Sequence, residues 1–73
     1  MTEFTFRISR FRELRLRQVP DPDQPAGEPL VQLQLWRVGD GETPRPTNVA
    51  IYLPSHMVPP ISKAALTLAG PAA

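Results

Sequence analysis

Five arginines, Arg7, Arg10, Arg12, Arg15 and Arg17, fall in the stretch Phe4 to Val19, FTFRISRFRELRLRQV, beside a single acid, Glu13. A guanidinium offers a rigid fork of donors that grips phosphate or carboxylate oxygens in pairs, so the run points to anion recognition. Farther along, Gln32, Gln34 and Trp36 alternate in LVQLQLWRV, and Tyr52 sits in VAIYLP. An exposed ring gives an unpaired base a stacking surface worth about 1–3 kcal/mol, and glutamine bonds base edges without demanding a charge. A duplex hides its base faces, so rings interleaved with arginines suit single strands.

Bond-making chemistry has less to work with. His56 is the single histidine and the chain has no cysteine. Ser55 and His56, adjacent in sequence, lack the spacing of a nucleophile and its base. No glycine-rich phosphate loop, metal-ligand spacing or paired carboxylate motif occurs, and Asp21 and Asp23 read as solvated turn residues in a proline-rich loop. The expectation is a protein that is not an enzyme and needs no cofactor or metal.

The elements that must hold these residues are short strands. Phe4, Phe6 and Ile8 alternate with Thr5, Arg7 and Ser9, the period of a half-buried strand over about 4–9. Leu14 and Leu16 continue on even numbers while Phe11 is odd, so the spacing predicts a bulge or bend near Ser9–Arg12 and a second strand over about 13–19. Residues 20–29, PDPDQPAGEP, hold four prolines and a glycine and read as a mobile surface loop. A third strand covers about 30–38, with Val31, Leu33 and Leu35 on one face and Gln32, Gln34 and Trp36 on the other. GDGETPRPTN reads as a second loop. A fourth strand over about 49–53 turns Val49, Ile51 and Leu53 inward and Tyr52 outward. A short helix over about 60–69 aligns Ile61, Ala65 and Leu68, and its length makes it marginal unless it packs on something. The fold class expected is α+β: four short strands and then a short C-terminal helix, ββββα.

The polar parity collects Arg7, Arg15, Arg17, Gln32, Gln34, Trp36 and Tyr52 on one sheet face, with Arg10 and Arg12 at the bend. Net charge is only +1, yet the acids Asp21, Asp23, Glu28, Asp40 and Glu42 lie in segments rich in proline and glycine. Basic charge is thus expected on strands and acid in loops. With 73 residues there is room for one domain with a modest core and no disulfide or metal to staple it, which makes a homodimer the structural expectation. No stretch reaches the length of a membrane span and the N-terminus carries no signal pattern, so a cytoplasmic protein, nucleoid-associated if bacterial, is expected.

FRISRFRELRLRQV resembles the start of the single-strand-binding domain of the transcriptional coactivator positive cofactor four and its bacterial and phage relatives. The strand ending in Trp36, the Gly41-Glu42 turn, the Pro44-Arg45-Pro46 loop and the VAIYLP strand resemble the elements that follow. The likeness covers roughly residues 4–66. It implies that each chain gives a curved antiparallel four-stranded sheet backed by the C-terminal helix, in a dimer in which helices, through Ile61, Ala65 and Leu68, and sheet edges meet at the two-fold axis. It also implies sequence-tolerant binding of single-stranded or melted DNA, with Arg10, Arg12 and Arg17 on phosphates, Trp36 stacking and Arg45 as a loop contact. The sequence departs from the family in its long acidic loop at 20–29, its short helix behind Pro59-Pro60 and its lack of loop lysines. A rival reading makes the chain a small phage or mobile-element interaction module, an inhibitor or assembly accessory, that sets the same basic face against an acidic protein partner.

Overall fold

The computed structural model describes residues 2–70, and over them the chain forms four strands, a single 3₁₀ turn and one helix. The strands are β1 (Glu3–Ser9), β2 (Arg12–Val19), β3 (Leu30–Arg37) and β4 (Arg45–Pro54). They form one antiparallel sheet in the order β1-β2-β3-β4, so each strand pairs with its neighbours in sequence. The 3₁₀ turn Ser55–Met57 leads into α1 (Val58–Ala69), and the order is the ββββα expected, not closed into a barrel.

Register explains the sheet's two faces. Phe4 pairs with Leu16 and Phe6 with Leu14, Leu14 and Leu16 pair with Leu35 and Leu33, and Leu33 pairs with Ile51. Alternation therefore gathers the apolar residues of all four strands on one side. The parity change seen in the sequence is made by a bulge between Arg7 and Ser9, before the predicted Ser9–Arg12 interval, and the chain then turns over Arg10 and Phe11 into β2. β3 stops at Arg37, and the Val38 amide donates to the Phe11 carbonyl at 3.0 Å.

β4 is longer than the sequence suggested. Residues 45–48, expected in a loop, belong to the strand, because an edge strand tolerates prolines that a central strand would reject. A second irregularity lies opposite Leu35, between the Gln34–Ala50 and Trp36–Pro46 pairs. Thr47 mends it: its hydroxyl donates to the Leu35 carbonyl at 2.7 Å and accepts from the Val49 amide at 3.1 Å. The Leu35 carbonyl and the Val49 amide are thus both satisfied at the irregularity.

The helix differs from expectation at both ends of the argument. It begins at Val58 rather than near Pro60, with Pro59 and Pro60 accepted in the first turn where amides need no helical partner. Gly70, at φ 74°, closes it by donating to the carbonyls of Leu66 and Thr67. Instead of backing the sheet, α1 packs principally on the 3₁₀ turn it grows from and buries no residue, and Leu68 is 88 % exposed.

The apolar sheet face is equally bare. Phe4 is 59 % exposed, and Phe6, Ile8, Val49 and Ile51 are each more than half exposed. Among the described residues Val38 is the one buried apolar residue and Gln32, 6 % exposed, the one buried polar residue. The accessible surface is 5885 Å², where a folded monomer of 8.1 kDa has about 4,500 Å². The radius of gyration is 14.4 Å against about 11 Å for a close-packed chain of this length.

One clip fastens the start of the helix segment to the end of the long loop. Glu28 accepts from the His56 backbone amide and lies 2.8 Å from His56 Nδ1, while the Ser55 hydroxyl donates to the Pro29 carbonyl at 2.6 Å. The His56 side chain and amide hold the Glu28 carboxyl below its ordinary value of 4.5. A depressed carboxylate stabilises the fold above its unfolded pKa and loses that contribution as pH falls through the folded value. Thermal melts of wild type and Glu28→Gln should therefore differ at neutral pH, with wild type the more stable, and converge as pH drops below 4.5.

Candidate functional site

On the face opposite the bare apolar one, three rows of side chains cross the strands. The first runs Arg7, Glu13, Trp36, Pro46; the second Thr5, Arg15, Gln34, Ala50; the third Glu3, Arg17, Gln32, Tyr52. The structure thus brings Arg7, Arg15, Arg17, Gln32, Gln34, Trp36 and Tyr52 together, as their parity predicted.

The first two rows interlock around an acid. The Arg15 guanidinium lies 3.8 Å from the centroid of the Trp36 ring, close enough for a cation–π contact. It also donates through Nε and Nη2 to Glu13 Oε1 at 3.2 and 3.1 Å. Arg7 approaches the other Glu13 oxygen at 3.9 Å and donates to the Arg10 carbonyl at 3.1 Å. Glu13 therefore shares its charge between two arginines at one end of the basic face. Trp36, expected as an open ring, is half-buried with Arg15 across it.

The third row is a hydrogen-bonded chain. Arg17 Nε donates to Gln32 Oε1 at 2.6 Å, and Gln32 Nε2 donates to the Tyr52 hydroxyl at 2.9 Å. A guanidinium has no acceptor, so the amide of Gln32 can be turned only one way. This bonding is what lets a glutamine be the most buried polar side chain of the sheet. Tyr52 remains 53 % exposed at the end of the chain. A cavity of about 440 Å³ opens beside it, lined by Arg17, Tyr52, Leu30 and the loop residues Asp21 and Asp23 among others.

Arg10, Arg12 and Arg45 do not join these rows. Arg10 is an exposed turn residue, 3.5 Å from Asp40 and 5.2 Å from the Phe11 ring. Arg12 precedes Glu13 on β2 and so projects from the other face of the sheet. Arg45 starts β4 rather than sitting in a loop. Arg12, Arg37 and Arg45 occupy successive positions across β2, β3 and β4. None of the three forms an ion pair among the described residues, although like charges facing each other across strands are unfavourable. Arg37 was not singled out from the sequence, and only the register reveals the row. Ile61, Ala65 and Leu68 lie on the exposed helix, away from these groups.

Because Trp36 is the single tryptophan, its emission reports on the Arg15 contact directly. Arg15→Ala should raise acrylamide quenching of that emission and lower stability by about 0.5–1 kcal/mol, the range for a partly exposed cation–π pair. Unchanged quenching would mean that Arg15 does not cover the ring in solution. Comparison with protein-family models, with characterised proteins and with solved structures finds no match for this chain.

Proposed function

We propose that this chain is a sequence-tolerant single-stranded-DNA-binding protein, acting without catalysis and as a homodimer. The observation that carries this reading is the gathering of Trp36, Tyr52, Gln34, Arg15 and Arg17 in adjacent rows of one open sheet face. Phosphates of an extended strand would displace Glu13 first from Arg7, whose 3.9 Å approach is long and exposed on the arginine side, and would take Arg15 only in exchange for its closer, largely covered contact. Bases would stack on Tyr52 and on the Arg15–Trp36 pair, since a guanidinium plane is itself a stacking surface. The element order is the ββββα read from the sequence, and the resemblance of FRISRFRELRLRQV to the positive-cofactor-four family motivates a regulatory role in transcription as the context of the binding.

Fluorescence anisotropy tests the surface. Oligo-dT should bind more tightly than a matched duplex. For three phosphate contacts, by Arg7, Arg15 and Arg17, affinity should fall roughly 20-fold over a fourfold rise in salt. Trp36→Ala should cost about 1–3 kcal/mol, while Glu13→Gln, by releasing two arginines, should tighten binding. No binding of oligo-dT at low salt sinks the proposal, and a partner retained after nuclease treatment would then favour recognition of an acidic protein.

The homodimer rests on surface that one chain leaves unsatisfied. The excess over a typical monomer is roughly 1,400 Å² per chain, in the range that obligate dimers bury per partner. A second copy placed over Phe4, Phe6, Ile8 and Ile51 supplies the missing core and leaves the arginine face in solvent. Light scattering should give twice the 8.1 kDa chain mass, with melting that depends on protein concentration. Phe6→Glu should abolish the dimer; a folded wild-type monomer at all concentrations would refute this assembly.

A further inference from the structure

The long loop that departs from the resemblance builds one wall of the cavity beside Tyr52. Arg17 and Tyr52 line it as well, and Val19, Pro20, Pro22 and Leu30 give it an apolar lining. Arg17 uses only Nε, on Gln32, so both terminal nitrogens remain without a described partner. Tyr52 accepts from Gln32, which leaves the phenol proton free to donate outward. Of the two acids that line the same cavity, Asp21 accepts at Oδ1 from the Asp23 amide at 2.9 Å, and the Asp23 carboxylate takes no hydrogen bond from a described residue. Neither acid forms an ion pair with Arg17. Free donors and free acceptors thus line one space without satisfying each other.

Such a space selects its occupant. Two carboxylates repel a phosphate, so the backbone of a bound strand belongs outside, toward Arg17 and Arg15. The apolar lining takes a flat ring. The ring must offer an acceptor to Tyr52 and Arg17 and donors to a carboxylate. Guanine carries the O6 acceptor next to two parallel donors, N1–H and the 2-amino group, which match the paired oxygens of a carboxylate. Adenine has no carbonyl, and cytosine and thymine lack the parallel donors.

The geometry points to a guanine subsite at this cavity, with Asp23 reading the donor edge and Tyr52 the carbonyl. It deepens the proposed single-strand binding and rests on it. The test uses the full chain and short oligo-dT in which one internal position is dG, dA or dC. The dG strand should bind about tenfold more tightly than the dA strand, the scale of one good bidentate contact. Asp23→Asn should remove most of that preference without weakening the binding of plain oligo-dT. Tyr52→Phe should reduce the preference in part. Asp21 is left unchanged because its side chain also caps the Asp23 amide. Oligo-dT binding with no gain from dG overturns the subsite and spares the surface reading. If oligo-dT does not bind, titration with GMP and AMP, followed by the NMR signals of Tyr52 and Asp23, decides the subsite alone: selective shifts with GMP support it, and equal or absent shifts overturn it.

Discussion

Side-chain alternation in a sheet of one layer makes every strand serve two surfaces at once, and in this chain neither surface is covered by the helix. Phe4, Phe6, Leu14, Leu16, Leu33 and Ile51 share one side because their registers align, and the same registers fix Arg15, Gln34 and Trp36 on the other. A slip of one residue would exchange the two sets. The apolar side therefore guards the order of the polar side, and the bulges at Arg7–Ser9 and opposite Leu35 keep that order across the sheet's irregular end.

The polar face is partly neutralised from within. Glu13 is largely covered and holds Arg15 closely and Arg7 more loosely, while Arg15 lies over Trp36. A ligand at this end gains only the difference between its own contacts and those it replaces. At the other end the bond chain from Arg17 through Gln32 to Tyr52 competes with nothing, because it is directed along the sheet and leaves the phenol proton outward. Rigid donors are thus found at one end and exchangeable ones at the other. Arg12, Arg37 and Arg45 add a third group of cations on the opposite side, brought together by strand pairing despite their mutual repulsion, with Glu42 lining the same hollow as Arg37 and Arg45.

Much of this was readable in the sequence because period-2 alternation is a local signal. Strand existence, the parity of Trp36 and Tyr52, and a bulge in the first hairpin all follow from nearest neighbours in the chain. What was missed depends on neighbours in space. Arg37 looks like the ragged end of LVQLQLWRV until pairing sets it between Arg12 and Arg45. Glu13 looks like a lone acid among arginines until the register shows that it sits between Arg7 and Trp36. Residues 45–48 looked like loop because Pro46 forbids a central strand, a rule that an edge strand escapes. The helix was expected to pack because an isolated one of such length is marginal, and among the described residues it buries none of its own side chains.

The meander leaves two outer strands, and their chemistry is unequal. β4 carries Pro46 near its start and Pro54 at its end, each lacking the amide that an added strand would need, so lateral growth of the sheet is blocked there at both extremities. β1, EFTFRIS, contains no proline and carries two phenylalanines and an isoleucine beside its free backbone groups. A chain that extends this sheet sideways, whether in orderly assembly or in aggregation, meets an uninterrupted row of amides along β1 and a row broken near both ends along β4.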